Sequence, residues 1–136
     1  MDELKKSTLI ALSGMKTQSQ RLRVVSENMA NADSLPRAAD QEPYRRKVVT
    51  FKQELDQRSG ANLTKVAKVG VDRSDFIKKF DPKHPAADRD GYVMAPNVNP
   101  LIELMDMREA QRSYEANMNI VSTSRALMQR TIEMLR

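Results

Sequence analysis

The feature that most constrains the fold of this sequence is a long tract without a helix breaker near its carboxyl end. Pro100 is the last proline, and no glycine follows it before Arg136. Asn99 can accept a hydrogen bond at a helix N-terminus, and proline suits the first helical position because its missing N–H would have no intrahelical partner. A helix over this tract would be about 55 Å long at about 1.5 Å per residue. Because such a rod is too long for one small globule, we expect it to pack on other helices along its length.

Apolar residues in this tract recur every seventh residue, a spacing typical of left-handed coiled coils. The longest lane contains Met107, Tyr114, Val121, Met128 and Leu135. A second lane contains Ile120, Leu127 and Met134. A third lane is small or polar and would allow close approach of a partner helix: Ala110, Asn117, Ser124 and Thr131. The width of the apolar face favours coiled-coil packing with more than one partner over an amphipathic helix on an ordinary core.

Residues 1–33 contain a second helical pattern. Its apolar side chains follow steps of three and four residues and include Leu4, Ala11, Met15, Leu22, Val25, Met29 and Ala32. Gly14 lies within the pattern, where glycine costs about 1 kcal/mol relative to alanine, so it is either a site of close helix approach or a weak point. Asn28, Asn31 and Asp33 disfavour a helix interior and indicate its end. The two terminal helices together predict an antiparallel hairpin.

The residues that follow the first helix predict a small β insertion. Residues 34–43 contain two prolines and no periodicity, which is typical of a loop. Residues 44–51 and 63–71 are rich in β-forming side chains and predict two strands that pair as a hairpin. Between them, residues 52–58 are compatible with a short helix or a continuing strand, and residues 59–62 with a turn.

Residues 72–98 are rich in turn-forming residues and predict an irregular, extended lead into the last helix. The fold class expected is therefore mainly α with a small β insertion. In this interpretation the helices of residues 1–33 and 99–136 pack as an antiparallel coiled coil, and residues 34–98 form an inserted head of a β-hairpin and extended loop.

The sequence contains no recognisable catalytic set. Cysteine is absent, which excludes thiol catalysis, disulfides and thiolate metal ligands. His84 is the only histidine, and it lies near Asp81, Asp88 and Asp90. The last two aspartates are spaced as at the start of a calcium loop, but Asn99 occupies the position where such a loop requires a bidentate glutamate. We therefore expect turn-forming residues here, no metal, no cofactor and no enzymatic activity.

The net charge of +5 is concentrated in residues 34–98, where the densest basic run is Arg45-Arg46-Lys47. A nucleic-acid platform would require a longer basic stripe with interleaved aromatic residues, so ion pairs or a solvated strand are the simpler interpretation and no nucleic-acid partner is expected. A basic module that binds an anionic polymer, whether nucleic acid or a cell-wall or membrane surface, is the alternative function.

No apolar run approaches the ~18–20 residues that a membrane span needs. The first apolar run, Leu9 to Leu12, is too short for the core of a cleavable signal peptide. We therefore expect a protein that is cytoplasmic or that is exported by a route without such a signal.

Three stretches of the sequence resemble one protein family. The first runs from Ser13 to Gln18 and from Asn28 to Ser34, and it includes Asn31. The second contains Asp81, Pro82, His84, Pro85, Asp88, Gly91, Tyr92, Pro96, Asn97 and Asn99. The third contains Met107, Ala110, Arg112, Tyr114, Glu115 and Asn117. Together they are similar to the bacterial flagellar axial and rod proteins, and the second and third stretches look like the proximal rod protein of that family.

The resemblance implies a structural subunit of the basal-body rod in the periplasm. It implies passage through the flagellar type III export apparatus, and terminal helices that join other copies and other rod proteins in a helical tube. That tube surrounds the export channel and transmits torque, and contact of the head with peptidoglycan is left open. The residues expected at the helix seams of the assembly are Met15, Leu22, Val25, Met29, Met107, Tyr114, Val121, Met128 and Leu135.

Overall fold

The computed structural model describes all 136 residues and contains two long helices and two two-stranded sheets. In chain order the elements are α1 (Asp2–Ala30), β1 (Lys47–Asp56), β2 (Ala61–Val71), β3 (Ile77–Phe80), β4 (Tyr92–Ala95) and α2 (Pro100–Met134). Roughly half of the chain is helical, as the sequence predicts. Neither helix has a stretch apolar enough, over sufficient length, to span a membrane.

The helix starts and ends have local causes. The side-chain oxygen of Asn99 accepts a hydrogen bond from the Leu101 amide at 3.1 Å, and α2 begins at Pro100, which confirms the predicted cap. Helix α1 ends at Ala30, three residues before the predicted boundary. There the side-chain amide of Asn31 donates to the carbonyl of Glu27 at 2.8 Å, and a turn replaces the helix.

The chain divides into two compact units. The first contains Met1–Leu22, Val49–Lys68 and Arg108–Arg136, and the second contains Arg23–Val48 and Val69–Met107. The predicted division into residues 1–33, 34–98 and 99–136 stays a prediction.

In the first unit, α1 and α2 run in opposite directions. Gly14 faces Asn117, while Arg21 further along α1 binds Glu109, which lies earlier in α2, at 3.5 Å. The β1–β2 ribbon lies against α1, because the Thr64 amide donates to the Ser13 hydroxyl at 3.1 Å. The hairpin is therefore anchored on the first helix.

The ribbon was predicted correctly, but its boundaries were not. Strand β1 continues to Asp56, as one of the two alternatives for residues 52–58 proposed, and the turn occupies residues 57–60. Gly60 has a φ of 65°, and its amide donates to the Asp56 carbonyl at 2.8 Å. This positive φ explains why the turn is completed at the glycine.

In the second unit, the prediction that residues 72–98 are irregular was wrong in part. Strands β3 and β4 pair antiparallel, with Ile77 opposite Ala95 and Phe80 opposite Tyr92. Strand β3 has the sequence Ile-Lys-Lys-Phe, and all four of its side chains are exposed. It therefore lacks the alternation of apolar and polar residues by which a strand is recognised. In β4 only Val93 is fully buried.

Candidate assembly surface and buried polar cluster

The side chains expected at the helix seams differ in exposure. Val25 and Val121 are buried in the chain itself, whereas Leu135 is 80% exposed. The others are half-buried: Met15, Leu22, Met29, Met107, Tyr114 and Met128. Their role in assembly stays a prediction, and the buried valines already have partners within the chain.

The small and polar lane of α2 is the one that faces inward in the first unit. Ala110 and Ser124 are buried, and Asn117 lies against Gly14 of α1. On α1, Ala11 and Thr17 are buried. Small side chains allow two helix backbones to approach closely, so the chain uses its smallest residues for its internal packing.

Several of the larger apolar residues of the first unit are exposed. On α2 these include Ile120, Leu127 and Met134, which lie one heptad apart and which we call the outer lane. On α1 they include Leu9, Ile10 and Leu12. Single exposed apolar residues are normal, but contiguous apolar surface is typical of an interaction site. The outer lane is the candidate assembly surface of this unit.

The second unit contains a buried polar cluster centred on Asn28. Its side-chain amide donates to the Lys47 carbonyl at 2.9 Å and to Glu103 Oε2 at 3.2 Å. Its side-chain oxygen accepts from the Lys47 amide at 2.9 Å and from the Tyr44 hydroxyl at 2.8 Å. All the hydrogen-bonding capacity of this amide is thus used, as a buried polar group requires.

Arg46 pairs with three carboxylates around this cluster. Its Nε donates to the fully buried Glu103, its Nη2 lies 3.3 Å from Asp106 Oδ2 and its Nη1 lies 3.7 Å from Asp72 Oδ2. Partial burial lowers the pKa of the Arg46 guanidinium, but its hydrogen bond with Glu103 and the attraction of the carboxylates outweigh burial and raise the pKa overall. Burial raises the pKa of the Tyr44 hydroxyl.

Comparisons with known proteins agree with the family resemblance. Residues 9–34 match the sequence profile described as flagella basal body rod protein, and residues 89–134 match the profile described as flagellar basal body rod FlgEFG protein C-terminal. The chain is 53% identical over 136 residues to the flagellar basal-body rod protein FlgC of Agrobacterium fabrum, covering all of this chain and 98% of that protein. The chain belongs to the FlgC family.

More distant FlgC proteins also align over most of the chain. FlgC of Salmonella typhimurium is 37% identical over 123 residues, covering 90% of this chain and 91% of that protein. FlgC of Bacillus subtilis is 34% identical over 139 residues, covering 91% of this chain and 93% of that protein. The predicted resemblance to flagellar rod proteins, and to the proximal rod protein FlgC among them, is confirmed.

Several of the motif residues shape turns and caps. Asp88 Oδ1 accepts hydrogen bonds from the amides of Asp90 and Tyr92, each at 2.9 Å. His84 Nδ1 accepts from the Ala86 amide at 3.0 Å. Gly91 has a φ of 86°, and a side chain there would meet Phe80 and Pro82 at 3.0 Å. No group of three or more histidine or carboxylate side chains is placed to hold a metal ion.

The basic run Arg45 to Lys47 is engaged within the chain. Arg45 Nη1 donates to the carbonyls of Asp72 and Ser74, each at 3.1 Å, and its guanidinium lies 4.2 Å from the centre of the Phe76 ring. Lys47 Nζ lies 3.0 Å from Glu27 Oε2. Asn97 holds the same loop, because its side-chain amide donates to the Asp72 carbonyl at 3.0 Å.

The sequence alone does not identify Tyr44, Arg46 and Glu103 as members of one cluster. One signal was present: Glu103 is the single charged residue in the run Leu101 to Met105, between two pairs of large apolar residues. The remaining motif residues lie at separate places: Pro96 is buried, Asp81 and Asn31 are half-buried, and Pro85 and Glu115 are exposed.

Proposed function

We propose that the chain is a structural subunit of the flagellar basal-body rod, in the proximal rod and in the periplasm. The observation that carries the proposal is its full-length relationship to FlgC proteins, 53% identical over all 136 residues for that of Agrobacterium fabrum. The physical support is the outer lane, because a chain that packs its own helices through small residues leaves its large apolar residues for neighbouring subunits.

The two helices form an antiparallel coiled coil that is completed by helices of neighbouring subunits. Heptad spacing on α2 and opposite helix directions in the first unit support this arrangement. Each apolar side chain covered by a neighbour contributes about 1.5–3 kcal/mol relative to exposure. The partners are other copies of this chain and other rod proteins.

Repetition of one heterologous contact between subunits produces a helical array instead of a closed ring. Such an array forms a tube around the export channel and transmits torque through many packed helices. The subunit reaches the rod through the flagellar type III export apparatus and carries out no chemical reaction. No observation favours the alternative of an anionic-polymer module, since the basic run is engaged within the chain.

The test is complementation in a strain that lacks its own copy of the gene. We expect the full-length chain to restore swimming and to co-purify with basal bodies. The cells should synthesise variants that lack residues 1–20 or 120–136, but these variants should not enter basal bodies. An exposed substitution such as Ser122→Ala serves as the matched control. Absence of the full-length chain from basal bodies of swimming cells would exclude the proposed function.

A further inference from the structure

The β1–β2 ribbon ends, within the second unit, at a backbone pair that is only half formed. Arg46 and Asp72 lie immediately beyond the terminal strand residues Lys47 and Val71. The Asp72 amide donates to the Arg46 carbonyl at 2.8 Å. Residues paired in this way in an antiparallel ladder normally exchange two hydrogen bonds, so the Arg46 amide would be expected to donate to the Asp72 carbonyl in return. It donates instead to Asn97 Oδ1 at 2.8 Å.

The side chain of Asn97 takes the place of the missing bond. While its Oδ1 accepts from the Arg46 amide, its Nδ2 donates to the Asp72 carbonyl at 3.0 Å. The side-chain amide thus bridges the two backbone groups that would otherwise bond each other, and we call it the Asn97 wedge. Its Nδ2 also lies 3.2 Å from the Ser74 carbonyl and 3.1 Å from the Ser74 hydroxyl. The wedge therefore also ties the ribbon to the loop that follows β2.

The backbone on both sides of Asn97 is anchored. Pro96 is fully buried and Val98 is 2% exposed, whereas the side chain of Asn97 is half-buried. A rotation of the Asn97 side chain towards solvent is therefore possible while its neighbours keep the main chain in place.

Withdrawal of the wedge leaves no backbone group without a partner. The Arg46 amide and the Asp72 carbonyl can then bond each other and complete the pair. The Asp72 carbonyl also keeps its bond from Arg45 Nη1, which is 3.1 Å long. Only the amide of Asn97 loses protein partners, and water can replace them at a half-buried site. The closed pair therefore avoids the cost of unpaired buried backbone groups.

We propose that the Asn97 wedge is a releasable latch, which gives the end of the ribbon two hydrogen-bonded states. In the open state Asn97 separates Arg46 from Asp72, and in the closed state these two residues bond directly. Release disconnects residues 96–99, which lead into α2, from the ribbon without unpairing either strand. The latch belongs to the folded single chain and does not rest on the proposed rod function.

The open state can be tested directly by NMR, because scalar couplings across hydrogen bonds identify the acceptor of each amide. In the isotopically labelled full-length chain, the Arg46 amide nitrogen should couple to Asn97 Cγ. The Asp72 amide nitrogen should couple to the Arg46 carbonyl carbon. A coupling of the Arg46 amide nitrogen to the Asp72 carbonyl carbon as the main signal would overturn the wedge.

Asn97→Ala should close the pair. The coupling of the Arg46 amide should move to the Asp72 carbonyl carbon, and the exchange rate of that amide with solvent should change less than about threefold. Ser74→Ala is the matched control, since it removes one partner of the wedge and should keep the parent couplings. Protected amides in β3 and β4 show that the second unit is folded in each variant.

Two results with these variants would contradict the latch. The first is an Arg46 amide in Asn97→Ala that has no acceptor and exchanges at least about tenfold faster, because the closed pair would then not form. The second is closure of the pair in Ser74→Ala, because the loop and not Asn97 would then hold the pair open.

Release in the parent chain is measured by relaxation dispersion at the Arg46 amide. We expect microsecond-to-millisecond exchange with a minor state whose chemical shift matches that of Asn97→Ala. If Asn97→Ala does not fold, Asn97→Ser provides the reference, since a serine side chain is too short to bridge both backbone groups. No exchange at Arg46, or exchange towards a different chemical shift, would overturn the releasable latch and leave the rod function standing.

Discussion

At the scale of single residues, the side chain of Asn28 takes the place of a neighbouring strand beside Lys47. It bonds both the amide and the carbonyl of that residue, which is how a neighbouring strand would pair with it in a sheet. Lys47 is the first residue of β1. An asparagine side chain near the end of α1 therefore fixes where the ribbon begins, and it links Glu103 of α2 to the same point.

Replacement of Asn28 should expose this dependence. Asn28→Ala removes four hydrogen bonds and leaves the buried Glu103 with one partner fewer, so we expect a loss of about 2–4 kcal/mol in the free energy of unfolding. Asn31→Ala is the matched control, since that side chain only bonds locally, and it should stay within about 0.5 kcal/mol of the parent. Urea unfolding measures both, and equal losses would contradict the role assigned to Asn28.

The pair of Arg46 and Glu103 should behave as a unit. Arg46→Met leaves the carboxylate of Glu103 buried without its cation, which should cost about 3–5 kcal/mol in stability. Adding Glu103→Leu removes that buried charge, so the double variant should be more stable than Arg46→Met alone. Denaturant unfolding of the two single variants and the double variant gives the coupling free energy between Arg46 and Glu103. Strictly additive losses would show that the two groups act independently.

Tyr44 should make the protein sensitive to alkali. Because burial raises the pKa of its hydroxyl, the folded chain retains this proton at a pH where the unfolded chain has lost it. Stability from this group is complete below the unfolded pKa of about 10 and is lost as the pH rises above it. Tyr44→Phe should flatten this part of the stability profile. An unchanged slope in Tyr44→Phe would refute the assignment.

At the scale of secondary structure, the elements with local signals were the predictable ones. Asn99 and Pro100 define the start of α2, and the alternating β-formers around Val49 and Val69 define the ribbon. Strand β3 was missed because its four side chains are exposed and two of them are lysines. The polar cluster was missed because its members come from four separate segments, and one sequence alone contains no signal that relates them.

The sequence leaves two explanations for Gly14, a site of close helix approach or a weak point in the helix. The structure favours close approach. A side chain there would lie 2.7 Å from Asn117 Nδ2. Gly14→Ala gains about 1 kcal/mol of helix propensity, and crowding of Asn117 should cancel this gain. In an Asn117→Ala background the full gain should appear as increased stability to denaturant. If Gly14→Ala is equally stabilising in both backgrounds, Asn117 does not limit the approach of the helices.

At the scale of the whole molecule, we propose that internal packing and assembly use different lanes of the same helix. The repeat of seven residues was visible in the sequence, but the assignment of each lane was not, because small and large lanes are both compatible with a seam. The structure places Ala110 and Ser124 inside and leaves Ile120 and Leu127 outside. Val121, which the sequence placed in the assembly seam, is only 8% exposed within the single chain.

Two aspartate substitutions six residues apart on α2 should therefore have opposite consequences for folding and assembly. Leu127 is 44% exposed, so Leu127→Asp should leave the unfolding free energy of the monomer within about 0.5 kcal/mol of the parent. It should still block incorporation into basal bodies, because a neighbour would have to bury the new charge. Val121→Asp buries a charge within the chain itself and should cost about 3 kcal/mol or more in monomer stability. Denaturant unfolding of the purified chains and immunoblots of basal bodies measure both effects. If Leu127→Asp enters basal bodies normally, the outer lane remains solvent-exposed in the rod, and the interfaces that hold the subunit must lie elsewhere on its surface.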